Sequence, residues 1–156
     1  MSIAAVKEYF RARGMEQRVL EFDVSSATVE LAAAAVGCEG KQIVKTLSFH
    51  VGDRVVLIAA AGDTKVDNRK FRERFGVKAK MLSHDEAEPL IGHPVGGVCP
   101  FVVNDGVDVY LDESMRRFDV VFPGAGSANS AIGLTIAELE EHSAALGWVN
   151  VCSGWE

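Results

Sequence analysis

Cysteine is scarce in this sequence and badly spaced for a scaffold. There are three, Cys38, Cys99 and Cys152, an odd number with no Cys-x-x-Cys pair. The four histidines stand at no zinc-like spacing from them, so neither a disulfide framework nor a structural metal is indicated. No apolar run approaches the roughly 18 residues of a membrane helix. The N-terminal MSIAAVKEYFRARG is amphipathic and charged, and it has no apolar h-region followed by a small-residue cleavage site. It does not read as a signal peptide, so a cytoplasmic protein with no membrane partner is expected. Repeats, linkers and low-complexity tracts are missing. Positive charge is in deficit: 16 Lys and Arg against 22 Asp and Glu leave a net −6, which argues against coating DNA or RNA by bulk electrostatics.

What is present suits one globular domain spanning residues 1–156. Hydrophobic residues are 48% and charged residues 24% of the chain. A chain of this length buries roughly 70% of the surface its unfolded form exposes. Helical spacing of Ile3, Val6, Tyr9 and Phe10 predicts a helix over 2–13, and a short strand follows at 18–22. Ser25 or Ser26 can cap a second helix ending at Gly37. Two β-branched stretches flank Val51-Gly52-Asp53 and read as a central hairpin. Asp67 can cap a short basic helix ending at Gly76, and a strand is expected at 79–82. Ser83-His-Asp-Glu86 is a capping box for a helix ended by Gly92. Strands are expected at 106–112 and 118–122, then an amphipathic helix at 135–147 with Ile136, Leu139 and Leu146 inward. Interspersed helices and strands around a hairpin indicate an α+β fold on a mixed sheet.

Five features could carry chemistry or binding. Lys45 lies mid-strand, where a lysine is either a snorkelling edge residue or a cation holding an anionic or carbonyl group of a ligand. In Gly96-Gly97-Val98-Cys99-Pro100 the glycines allow close backbone approach. Their amides, with that of Val98, could converge on an oxyanion, or the stretch could be a structural turn. Cys99 could be a nucleophile with His84 or His93 as base, but a buried apolar role suits a lone cysteine better. The loop GAGSANSAIGL at 124–134 brings Ser127, Asn129 and Ser130 to a pocket wall or an ordinary polar loop. A basic stretch from Lys65 to Lys80, including Arg69, Lys70 and Arg72, carries a local charge of +5 against −11 for the rest of the chain.

The order Lys45-Thr-Leu, GDTKVDNRKF, GVKAKMLSHDEAEPLIGHPVGGVCPF and VYLD resembles the YbaK and prolyl-tRNA synthetase-associated editing-domain family. The resemblance runs from about the second helix to the last. It implies a mixed, partly barrel-like sheet surrounded by helices, and a free-standing deacylase that hydrolyses the ester of a mischarged aminoacyl-tRNA without metal or organic cofactor. It makes Lys45 the substrate-contacting lysine. Gly96 to Pro100 become the Gly-x-x-x-Pro element that holds the aminoacyl carbonyl, with Gly96 and Gly97 catalytic and Val98, Cys99 and Pro100 at the substrate. Lys65, Arg69, Lys70 and Arg72 become contacts to the acceptor end, and a synthetase such as prolyl-tRNA synthetase a possible partner. The 124–134 loop departs from the Gly-Gly-Lys-Arg-Gly-Leu-Asp of Cys-tRNA(Pro) deacylases. With Ala131 or a neighbour at the acidic position, Asn129 or Ser130 is expected at the substrate's amino group, in a member with another preference. The rival expectation is a non-catalytic module of the same fold that binds aminoacyl-tRNA, a synthetase or a free amino acid.

Overall fold

The computed structural model describes residues 2–155; Met1 and Glu156, the ends of the domain expected over 1–156, lie outside the described residues. The helices are α1 (Ser2–Arg11), α2 (Val29–Val36), α3 (Asn68–Phe75), α4 (His84–Ile91) and α5 (Ile136–Ser143). The strands are β1 (Val19–Glu21), β2 (Ile43–Val51), β3 (Arg54–Ala61), β4 (Lys65–Val66), β5 (Val107–Asp112), β6 (Val120–Pro123), β7 (Ser130–Ile132), β8 (Leu134–Thr135), β9 (Gly147–Val149) and β10 (Cys152–Ser153). Among the described residues, six strands form one mixed sheet in the order β8-β6-β2-β3-β5-β9, so the fold is α+β as expected. β2 and β3 are the antiparallel hairpin, turned at Gly52 with φ +61°. β2 runs parallel to β6, while β3, β5 and β9 run parallel to one another.

Local capping sets most helix ends. The Asp67 side chain accepts from the Lys70 amide to start α3, and left-handed Gly76 ends it. Ser83 and Glu86 close a reciprocal capping box on α4, which stops at left-handed Gly92. α1 packs Val6 and Phe10 on one face of the sheet, against Val44, Ala59, Leu111 and Val121. α3 covers the other face with Phe71, against Phe49, Ile58 and Ala60. Strand alternation therefore divides β2: Val44 looks to the α1 side, and Leu47 and Phe49 to the α3 side.

Three local expectations are corrected. α2 is capped by Thr28, not Ser25 or Ser26, because the Ser26 amide and hydroxyl are bonded instead to the carbonyls of Ala128 and Ser130. The strand expected at 79–82 reduces to an isolated bridge between Met81 and Phe49. α5 ends at Ala144 with φ +51°, and Leu146 is exposed rather than inward, because Gly147 opens β9 and pairs with Tyr110. No helix among the described residues is long and apolar enough to cross a membrane.

Candidate active-site cleft

The site grows from an interruption in sheet pairing. On the side of β2 away from β3, the ladder to β6 pairs only Ile43 with Phe122 and Val44 with Pro123. Pairing on that side resumes further along, where Leu82 N donates to Ser48 O (3.2 Å) and His50 N to Lys80 O (2.8 Å). Between these two sections Lys45, Thr46 and Leu47 border a cleft of about 460 Å³. Its opposite walls are the start of α2, residues 81–84, the turn around Gly96, and Gly124, Ser130 and Ala131. Much of the wall is small or apolar, with Ala27, Val29, Ala32, Val95, Val98 and Ala131 among the lining side chains.

The glycine turn is built from its own sequence. Gly97 N donates to Pro94 O (2.9 Å), and Gly96 sits at φ +87°, the third position of a turn that demands a positive φ. A Cβ on Gly97 would stand 2.8 Å from the Ser127 backbone, so Gly97 is where the turn rests on the 126–127 loop. That loop is in turn tied to the start of α1, where Ser2 Oγ donates to the Gly126 carbonyl. Because the Gly97 amide serves the turn, the amides of the turn left to face a ligand are those of Gly96 and Val98. Both residues line the cleft.

The other expected site residues divide. Lys45 and Ser130 line the cleft with Gly96 and Val98. Cys99 and Phe101 are fully buried in the α1-side core, and Pro100 between them is buried too; neither Cys99 nor Pro100 lines the cleft. Burial pushes the Cys99 thiol up to about 12. Its neighbour His93 is equally buried, with Nε2 2.6 Å from the Phe101 carbonyl. A carbonyl only accepts, so Nε2 carries the proton and cannot take one from Cys99 Sγ, 3.5 Å away. His84 lines the cleft but Cys99 does not, so no cysteine–histidine pair forms there. Ser127 and Asn129 support the loop rather than the cleft. The Ser127 hydroxyl bonds Asn129 Oδ1 and Ser130 Oγ (both 2.8 Å), and the Asn129 amide nitrogen bonds the Phe22 carbonyl (3.0 Å).

Lys45 is tethered on the α3 side. Its ammonium donates to the Thr64 carbonyl, and the Thr64 hydroxyl donates to Ala61 O (2.7 Å). At the far rim, Glu86 accepts from the Ser83 amide and faces His50 Nε2 at 3.0 Å. These bonds hold the Glu86 carboxyl down at about 2 and fix the start of α4 against β2. Among the described residues, no group of three His, Cys, Asp or Glu is placed to hold a metal ion. Of the basic residues, Arg69 and Arg72 line a groove on α3 with Lys78, and Arg69 is paired with Glu73 (3.2 Å). The Lys70 ammonium is bound to the Cys152 carbonyl (3.0 Å), while Lys65 is exposed on β4.

Residues 24–142 match the family model of the aminoacyl-tRNA editing domain. The chain belongs to that family. The matched span of this editing domain runs from just before α2 to the end of α5 and takes in every wall of the cleft. Over its full length the chain is 50% identical to YwhH of Bacillus subtilis strain 168, an uncharacterized protein that it covers completely. It is 25% identical to the proline–tRNA ligase of Bacillus cereus strain AH820 over 102 residues, 65% of this chain but 18% of the ligase. The chain thus spans under a fifth of that enzyme. Among solved structures, a candidate trans-editing enzyme for prolyl tRNA synthetase superposes with a TM-score of 0.87 at 28% identity, covering 98% of each chain.

Sequence reasoning missed the open edge at Thr46 and the Thr64 tether. Neither leaves a local signal, because each depends on chain segments brought together only by folding.

Proposed function

We propose that the chain acts over residues 1–156 as one cytoplasmic editing domain, a trans-editing hydrolase that deacylates mischarged aminoacyl-tRNA. Its substrate is a small amino acid on tRNA(Pro) or a related tRNA. The observation that carries this reading is that Lys45 and the Gly96 turn, far apart in sequence, border the same small-walled cleft in a chain of the editing-domain family.

The chemistry asks little of side chains. An aminoacyl ester is already activated, so catalysis needs an oriented water and stabilisation of the oxyanion formed when that water adds to the acyl carbon. Collapse of the intermediate breaks the bond to the ribose oxygen, which leaves with a proton as the free tRNA hydroxyl. The Gly96 and Val98 amides are suited to hold the oxyanion. An ammonium has three protons, so the Lys45 bond to Thr64 leaves two for the substrate. Ala27, Ala32 and Ala131 set the size of the pocket. Size alone discriminates by about 1–3 kcal/mol per methylene.

The test is ester loss from a panel of mischarged tRNAs in the presence of the protein, with alanyl-tRNA(Pro) and cysteinyl-tRNA(Pro) included. Selective turnover of a small aminoacyl group supports the reading. A second reading, a non-catalytic module that binds aminoacyl-tRNA, a synthetase such as prolyl-tRNA synthetase or a free amino acid, is favoured by the engagement of the Gly97 amide in its own turn. Tight binding without turnover across the panel would establish it.

A further inference from the structure

The gap in the β2 edge presents one residue's backbone to the cleft. In a strand, the N–H and C=O of one residue point to the same edge, and those of the next residue to the opposite edge. The Ser48 carbonyl and the His50 amide are both bonded to the 80–82 segment, so even-numbered residues of β2 turn their polar groups away from β3. Thr46 is the even-numbered residue between the two paired sections. Its N–H and C=O are therefore directed at the cleft, on an edge where β6 has ended and the 80–82 segment has not begun. An unpaired strand edge is a template for any extended group with a donor and an acceptor at strand spacing.

We propose that the aminoacyl group binds as a one-residue β-strand on this edge. The α-ammonium donates to the Thr46 carbonyl, and the Thr46 N–H donates to the acyl carbonyl. This rests on the deacylase reading and adds the group that recognises an α-amino acid as such. An α-aminoacyl ester has the donor and acceptor of one strand residue, so it exchanges both bonds with Thr46 as a directly opposed residue of an antiparallel pair does. The acyl oxygen has a second lone pair, open to an amide of the Gly96 turn. Pairing also sets the direction of the substrate side chain, because directly opposed residues put their side chains on the same face of a sheet. Recognition through the backbone leaves the small and apolar side chains of the cleft free to read size.

The experiment has a substrate arm and a protein arm. In the first, the native protein hydrolyses alanyl-tRNA and its isostere lactyl-tRNA, in which a hydroxyl replaces the α-ammonium, each rate divided by its spontaneous rate. The lactyl hydroxyl still donates to the Thr46 carbonyl but without the charge, so the normalised kcat/KM is expected to fall roughly tenfold for the lactyl ester. In the second, the α-hydroxy analogue of threonine is installed at position 46, turning the amide into an ester that lacks the N–H but keeps the side chain. Its kcat/KM on alanyl-tRNA should fall at least about tenfold, as on removal of an oxyanion donor. Equal normalised rates for the two substrates, or full activity in a folded backbone variant, overturn the inference while leaving the deacylase intact. If the native protein turns over no aminoacyl-tRNA, the deacylase reading falls and this inference with it. Should the backbone variant fail to fold, judged by circular dichroism, the substrate arm decides alone.

Discussion

The ammonium of Lys45 donates to the backbone carbonyl of Thr64, which closes the turn at the end of β3. Lys45 pairs with Ala60 in the hairpin, so it emerges on the face packed by α3, where the Thr64 carbonyl holds its ammonium. A lysine in a half-buried strand position needs such a partner. Lys45→Ala is expected to lower kcat/KM for deacylation by roughly two orders of magnitude, comparable to loss of an oxyanion donor. Circular dichroism should show the fold retained, and an active, folded Lys45→Ala protein would remove the residue from the mechanism.

Gly97 carries a steric prediction. A Cβ there meets the Ser127 backbone at 2.8 Å, and backbone cannot swing away as a side chain end can. Gly97→Ala should cost about 1–3 kcal/mol by overpacking and displace the turn from the cleft. Urea denaturation reads the stability, and deacylation rates read the turn.

Cys99 should be chemically silent. Its thiol is fully buried and pushed up to about 12, so almost no thiolate exists at neutral pH. Iodoacetamide on the native protein is expected to leave Cys99 and the equally buried Cys152 unmodified by mass spectrometry, with deacylation intact. Alkylation of Cys99 with loss of activity would revive a cysteine mechanism.

Acid should weaken the fold through two capping carboxylates. Glu86 and Glu138 are each lowered from 4.5 to about 2, the first chiefly by the Ser83 amide and then His50, the second chiefly by Arg18 and then the Thr135 amide. A depressed folded-state value stabilises the native protein above the unfolded value and is lost as pH falls through the folded one. The urea midpoint should therefore drop between about pH 4.5 and 2. Glu86→Gln and Glu138→Gln should each make that drop shallower.

Arg72 and Lys78 line one groove on α3, and residues 78–84 lead from it to the cleft wall at Met81 and His84. Charge reversal at both, Arg72→Glu with Lys78→Glu, should raise KM for aminoacyl-tRNA while leaving kcat nearly unchanged. The salt dependence of binding should become shallower by roughly 0.7–0.9 in log–log slope for each phosphate that the variant no longer neutralises. Lys70, bound to the Cys152 carbonyl, should matter less for tRNA than for anchoring the C-terminal segment.

How far the fold was legible depends on where each element's hydrogen bonds go. α3 and α4 follow from residues three apart, Asp67 with Lys70 and Ser83 with Glu86, and from the glycines that end them. The β2–β3 hairpin is equally local. The errors fall where a distant partner intervenes: Ser26 is drawn from capping to the 128–130 loop, and the Leu146 amide is taken by Val109, which ends α5 early. In the site, Lys45, Gly96, Val98 and Ser130 reach the cleft, whereas Cys99 and Pro100 turn into the core beneath it.

The sequence by itself determined the caps of α3 and α4, the hairpin, the glycine turn and, through the order of its motifs, membership in the editing-domain family. Only the tertiary structure decided that β2 would be paired at Val44 and again at Ser48 but left open at Thr46. The reason is physical: helix caps and tight turns satisfy backbone groups with near neighbours in the chain, whereas a strand edge is closed or left open by segments remote in sequence. Which backbone groups remain to meet a substrate is therefore known only once those segments are in place.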